Sequence, residues 1–527
     1  MALSGFKKWI VVVTVITAAV MELIDTSIVN VALSQMSGSL GASIEDIAWV
    51  ITAYAIANVI IIPMTGFLAR FFGRKNYYLG SIILFTIASY FCGQSTNLWE
   101  LVAFRFMQGI GGGALLSTSQ ALLFDAFPTE ERPFASALFG MGVIMGPAFG
   151  PTLGGVIIDN FSWPLIFDIN IPVGIIAGIL VYLFVDKKPE EYNIDRKNIK
   201  IDVIGILLLT VGVGALQFVL EKGESEDWFH TNYITVLTIT AIAALGTFIF
   251  WEFRTKEPVV NLRVLKNKNL AFTTVLTFIF GYGLFAAVFI YPIMVQRLMG
   301  YTPTMTGISL IPGTLSAFFI LPIVGKAMVK GVSPQLFVGV GFFCYIFFCF
   351  WMASFNTDAS SWDFFHPLIL RGIGAAMLTV PLTNQAVMGL KPKDIPQGIA
   401  INNMMRQLGG AFGIAITNTY IANRGAVHHS DLIANVDTGA VASDRITQLT
   451  NFFMSKGMTL ADAKDQAMHM INAIVNQQGT LLSYQDAFRL VGVFFILCLP
   501  LIGLVKKKSV SKEETEQAAK AAAEAAH

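Results

Sequence analysis

Gly109-Ile-Gly111 recurs as Gly372-Ile-Gly374, and Ala148-Phe-Gly150 recurs as Ala411-Phe-Gly413. Both repeats share one offset (372 − 109 = 411 − 148), which unrelated tripeptides rarely do. Pro63-x-x-Gly66 and Pro322-x-x-Gly325 recur at a similar spacing. Each copy lies in a long apolar stretch, so the chain reads as two homologous halves. A parallel repeat of apolar helices around a midplane site is an alternating-access architecture.

Outward from these glycines, stretches of the roughly 20 apolar residues that a membrane crossing needs succeed one another along the chain. They fall near 9–33, 47–69, 76–95, 99–124, 134–158, 165–185, 202–220, 232–252, 270–292, 304–328, 335–355, 364–388, 397–422 and 486–505. The expected fold is an all-α polytopic membrane protein of 14 helices, two six-helix halves plus an inserted pair. The divisions are 1–185 for the first half, 186–268 for the inserted pair with its flanking loops, 269–505 for the second half, and 506–527 for a hydrophilic tail. Lys7 and Lys8 precede the first stretch as in a signal peptide. No small-x-small cleavage site follows, however, and a retained first span is expected.

Composition agrees. Of 527 residues 55% are hydrophobic and 13% are charged, about half the usual charged share, and the mean hydropathy is +0.65. A cytosolic enzyme, a disordered chain and a nucleic-acid binder are excluded, the last because the net charge is only +1. Basic residues such as Arg70, Arg74, Lys75, Arg132, Lys187, Arg254, Lys326, Lys391 and Lys506 occupy alternate loops. The loops between spans 1 and 2, 3 and 4, and 5 and 6 have no Lys or Arg, which predicts cytoplasmic termini. Between spans 13 and 14, residues 423–484 form a long outer segment. In it, Thr459-Leu-Ala-Asp462 resembles a capping box and begins a helical pattern, so a folded helical cap is expected.

Charged groups inside apolar stretches are costly and need a reason. Glu22 and Asp25, three residues apart, share one helix face. Two close carboxylates in a low dielectric cannot both stay ionised cheaply, which suits a proton carrier. Arg105 joins them in an expected proton switch, released when protonation neutralises its carboxylate partner; the plainer alternative is a structural pair of Asp25 with Arg105. Asp168, at the outer end of span 6, is a weaker member of the same charged layer. The second half has Arg371, Arg406, Asn384, Gln385, Asn402, Asn403 and Gln407, either contacts for polar parts of a ligand or hydrogen bonds between helices. Gly142, Gly146, Gly150 and Gly154 repeat every fourth residue of span 5, with Pro147 and Pro151 among them. This pattern is read as a rocking surface between the halves.

There is no phosphate-binding loop for ATP, and no ligand spacing calls for a cofactor or a metal. His428-His429 is read as an inert exposed pair. Cys92, Cys344, Cys349 and Cys498 lie in apolar runs and suggest no disulfide. A membrane-embedded enzyme or receptor would need a catalytic cluster or a signalling domain, and neither is visible.

Several motifs carry a family resemblance over essentially the whole chain. Leu23-Ile-Asp25-Thr-Ser-Ile-Val-Asn30-Val-Ala-Leu33 resembles the first-helix motif of fourteen-span drug/proton antiporters in the major facilitator superfamily. Gly66-Phe-Leu-Ala-Arg70-Phe-Phe-Gly73-Arg74-Lys75 is similar to the superfamily's loop between spans 2 and 3, with Arg70 where an Asp is common. Arg105-Phe-Met-Gln108-Gly109-Ile-Gly111 resembles the fourth-helix motif, and Gly142 to Gly155 the antiporter motif of span 5. The ensemble looks like an EmrB-type subunit of a tripartite efflux pump. The resemblance implies proton-driven export of hydrophobic drugs from a bacterial inner membrane, passed to an EmrA-type periplasmic adaptor and a TolC-type outer-membrane channel. It supports Asp25 as the acidic coupling residue and adds Asn30 and Gln108 to the substrate-binding candidates. A same-fold exporter of one metabolite, siderophore or fatty acid is the alternative.

Overall fold

The computed structural model describes residues 5–187, 201–438 and 440–504. The basic residues Lys188, Arg196, Lys197, Lys200 and Lys506, and the tail 506–527, lie outside the described residues. The described residues form helices joined by short connections. The first half contains α1 (Gly5–Leu40), α2 (Trp49–Phe72), α3 (Arg74–Gly93), α4 (Leu98–Ala126), α5 (Arg132–Asn160) and α6 (Asn170–Phe184). The inserted pair is α7 (Val203–Lys222) and α8 (Asn232–Arg254). The second half comprises α9 (Lys268–Met299), α10 (Pro303–Val329), α11 (Pro334–Met352), α12 (Ser361–Val387), α13 (Ile395–Thr438), α14 (Ala440–Ser455) and α15 (Leu460–Cys498).

The helix ends have local causes. Asn97 caps α4 by accepting from the Glu100 amide at 3.0 Å, and Ser360 with Asp363 closes a full capping box on α12. Gly73 alone separates α2 from α3, with φ of 84°, a conformation open to glycine. Among the described residues, eleven helices are long and apolar enough to cross a membrane. α3, α4 and α13 are the long helices outside that set. In α4 and α13 the polar residues face protein: Arg105, Gln108, Gln120, Asn402 and Asn403 are all buried. Such helices lower their own hydropathy while being shielded by neighbours.

The repeated glycines do equivalent work in the two halves. A Cβ at Gly109 would lie 2.5 Å from the Tyr54 carbonyl of α2, and one at Gly111 2.8 Å from the Phe85 nitrogen of α3. In the second half, Gly372 abuts the Gly313 carbonyl of α10, and a Cβ at Gly374 would come within 2.9 Å of Tyr345 on α11. Likewise Gly150 abuts Ser27 of α1, and Gly413 packs on the Tyr282 carbonyl of α9, 2.5 Å from an added Cβ. Each repeat thus meets the matching helix of its own half.

Two expectations are corrected. The stripe of Gly142, Gly146, Gly150 and Gly154 does not face the other half; it receives Ile16, Leu23, Ser27 and Ile28 of α1, a seam inside the first half. The opposite side of α5 meets the second half, where a Cβ at Gly325 would lie 2.7 Å from the Ala137 Cβ. Small residues thus mark close approach both within the first half and, at Gly325, between the halves. Second, the outer segment is not bounded at 423 and 484. α13 continues from the bundle to Thr438 and α15 starts at Leu460, so two bundle helices run on into the cap without a break. The expected start at Thr459 is found, its hydroxyl accepting from the Asp462 amide at 3.3 Å.

Candidate functional site

The first half encloses a polar cluster among apolar side chains. Asp25 of α1 is fully buried, and Arg105 of α4 is 1% exposed. Arg105 Nη1 donates to Asp25 Oδ2 at 2.6 Å and to Gln108 Oε1 at 2.8 Å, while its Nε donates to the Val50 carbonyl at 3.2 Å. Its guanidinium also lies over the Tyr54 ring, 4.2 Å from the centroid. The second carboxylate oxygen, Asp25 Oδ1, accepts from Gln108 Nε2 at 2.9 Å and from Asn170 Nδ2 at 2.7 Å. Ser89 of α3 accepts from both amides and donates to the Phe167 carbonyl at 2.9 Å. Four helices therefore converge on one carboxylate.

Glu22 lies one turn away and is held differently. Its Oε1 accepts from Tyr54 Oη at 3.1 Å and Asn58 Nδ2 at 3.0 Å, whereas Oε2 is buried without a partner. Arg406 of α13, in the other half, acts on Glu22 electrostatically. One acid is thus fully ligated and ion-paired, while the other has one buried oxygen without a partner.

Asp168 does not join this cluster; its carboxylate lies against Gly93. The residue that does join is Asn170, at the first position of α6. Ile169 between the single turn Leu165–Asp168 and α6 is itself helical, so Asp168 and Asn170, two positions apart, point to different sides and only Asn170 faces the cluster. Tyr54, Asn58, Ser89 and Asn170 had no charge to mark them in the sequence. The available signal was their spacing, since Tyr54 and Asn58 are i and i+4 on one face of α2. Gln108 serves as a ligand of Asp25 rather than standing free, and Asn30 is exposed on α1.

In the second half, Asn402 accepts from Thr277 at 2.8 Å, and Asn403 Nδ2 crosses between halves to Ser117 Oγ at 3.1 Å and Gln120 Oε1 at 3.2 Å. Gln385 is buried with Oε1 unpartnered, Asn384, Arg406 and Gln407 are half-buried, and Arg371 is 8% exposed with Nη1 unpartnered. At the basic end of the bundle, Arg74 pairs with Asp125 in the last turn of α4, and Lys75 donates to the Tyr182 carbonyl at the end of α6 at 2.7 Å. With Arg70 in place of an acid, this loop ties cations to helix C-termini. Gly66 of α2 abuts Gln397 of α13, another contact between halves at this end.

The model of the Major Facilitator Superfamily matches residues 15–414. The chain belongs to this superfamily. Multidrug export protein EmrB of Escherichia coli (strain K12) is 32% identical over 510 residues, 96% of this chain and 96% of that protein. Fatty acid resistance protein FarB of Neisseria gonorrhoeae is 32% identical over 490 residues, 93% of this chain and 94% of that one. In fold the chain is similar to the crystal structure of the human organic anion transporter MFSD10 (TETRAN), at a TM-score of 0.61 and 13% identity, over 94% of this chain and 99% of that chain. The superfamily's all-helical fold is the one described above.

Proposed function

We propose that the protein is a proton-driven exporter of hydrophobic and amphiphilic drugs, a carrier rather than an enzyme, spanning a bacterial inner membrane fourteen times with cytoplasmic termini. The observation that carries this reading is the fully buried Asp25 carboxylate, ion-paired with Arg105 and beside a Glu22 with one open oxygen. A proton arriving at Glu22 removes the charge that attracts Arg406. A proton on Asp25 removes the charge that holds Arg105, freeing α1 from α4. Each proton crossing gains about 2.3 kcal/mol per 100 mV of membrane potential, enough to drive a substrate uphill when export and proton entry share one rearrangement. Similarity to EmrB supports the substrate class.

In proteoliposomes with an imposed pH gradient, the wild type is expected to expel hydrophobic dyes and Asp25→Asn to lose gradient-driven export. Export by Asp25→Asn that still follows the gradient would reject the coupling role. A second reading, an exporter of one class of amphiphile, draws on the equal identity to FarB. It predicts transport of long-chain acids without broad dye export in the same vesicles.

The cap is the proposed docking surface for a periplasmic adaptor, the route to an outer-membrane channel. It exposes Phe452, Met454, Met458, Met468 and Met470, and flexible Met-rich surfaces adapt to partners. Replacing Phe452, Met454 and Met458 by Ser should abolish co-purification of the adaptor while leaving the bundle's thermal transition in place. Retained co-purification would rule out docking there.

A further inference from the structure

Two arginines are buried among the described residues, and they are treated unequally. Arg105 has Asp25 as its counter-charge. Arg371 stands at the repeat position of Gln108 (371 − 108 = 372 − 109), but among the described residues no carboxylate is paired with it. The ionisable groups acting on it are Tyr345 and Tyr291, which are neutral at ordinary pH. Tyr345 Oη is itself buried without a partner, as is Arg371 Nη1, whereas Tyr291 Oη already donates to Ser309 at 2.7 Å. Arg371 lies ten residues, about 15 Å, along α12 from its first residue and within the apolar span expected at 364–388. A guanidinium held there without an anion is strongly penalised, and the unused donors mark where one fits.

We propose that Arg371, with Tyr345, is the recognition site for the anionic head of an amphiphilic substrate, a carboxylate being the planar match to the guanidinium fork. The site is half of the repeat's polar cluster with its acid omitted, so the ligand supplies the missing charge. Beside it, Gly372 abuts Gly313 and holds α12 close to α10. The assignment rests on the export reading for its transport consequence but not for binding.

The test uses the full-length protein in nanodiscs and proteoliposomes, with dodecanoate, dodecanol and dodecyltrimethylammonium as probes of equal chain length. Dodecanoate is expected to raise the Tm more than dodecanol does, and Arg371→Gln to erase that difference. Without ligand, Arg371→Gln should melt higher than wild type, because an unpaired buried charge is gone. The ratio of dodecanoate to dodecyltrimethylammonium export should fall at least tenfold. If Arg371→Gln does not fold, Arg371→Lys and Tyr345→Phe decide, each expected to weaken the dodecanoate effect several-fold. A headgroup difference that survives these changes overturns the proposal, as does a wild type that does not discriminate the heads. A headgroup-dependent Tm shift without export of any probe would keep the anion site and sink the export reading.

Discussion

Asp25 and Arg105 illustrate why a buried ion pair is held rather than replaced. Taking two charges out of water costs several kcal/mol each, and the pair is stable only because Gln108, Asn170 and Val50 satisfy the remaining lone pairs and protons. Removing one partner leaves the other uncompensated, so Arg105→Gln should lower stability by about 3–5 kcal/mol. The double variant Asp25→Asn with Arg105→Gln should recover much of that loss while remaining uncoupled. A double-mutant cycle by thermal or chemical unfolding measures this; additive losses would mean that the two side chains are not one unit. Glu22, Asp25 and Arg105 were legible as sequence because charges in apolar stretches are rare. Asn170 was not, since a neutral amide two residues beyond an acid carries no mark in the sequence. Asp168, the more conspicuous residue, ended against Gly93 because two positions along a helix turn a side chain by roughly 200°.

Among the helices, the glycine repeats set how closely neighbours approach. Gly109 lies on the Tyr54 carbonyl, so Gly109→Val should force α4 off α2 and destabilise by about 1–3 kcal/mol, the usual cost of overpacking. Gly80 of α3 is exposed with open space around its Cα, and Gly80→Ala should be neutral or slightly stabilising. Thermal unfolding of the two variants side by side checks the contrast, and an equal change in both would show that the contact with Tyr54 does not set the cost. Only the equivalence of α4 with α12 follows from repeats visible in the sequence, not the neighbours on which each packs. The partner of the α5 stripe did not, because a row of small residues says that a backbone approaches but not which one. The start of α15 at Thr459 was legible, but its unbroken run from the cap into the bundle was not, since polarity changes along it while the helical register does not.

On the scale of the whole molecule, the halves are joined at the basic end of the bundle. Asn403 reaches Ser117 and Gln120, Gln397 abuts Gly66, and α5 meets α10 at Ala137. If this join must open during export, a disulfide between Asn403→Cys and Gln120→Cys, in a chain lacking the four native cysteines, should stop transport when oxidised and restore it when reduced. Full transport by the cross-linked protein would show that the contact never opens. The sequence by itself determined the helical class, the two related halves and the acids worth suspecting, because apolar length, repeated glycines and rare charges are properties of order along the chain. Only the tertiary structure decided that Asn170 completes the Asp25 cage, that the glycine stripe belongs to α1, and that Arg371 has no acid paired with it among the described residues. Those are facts of distance between residues far apart in sequence, and helix packing alone sets them.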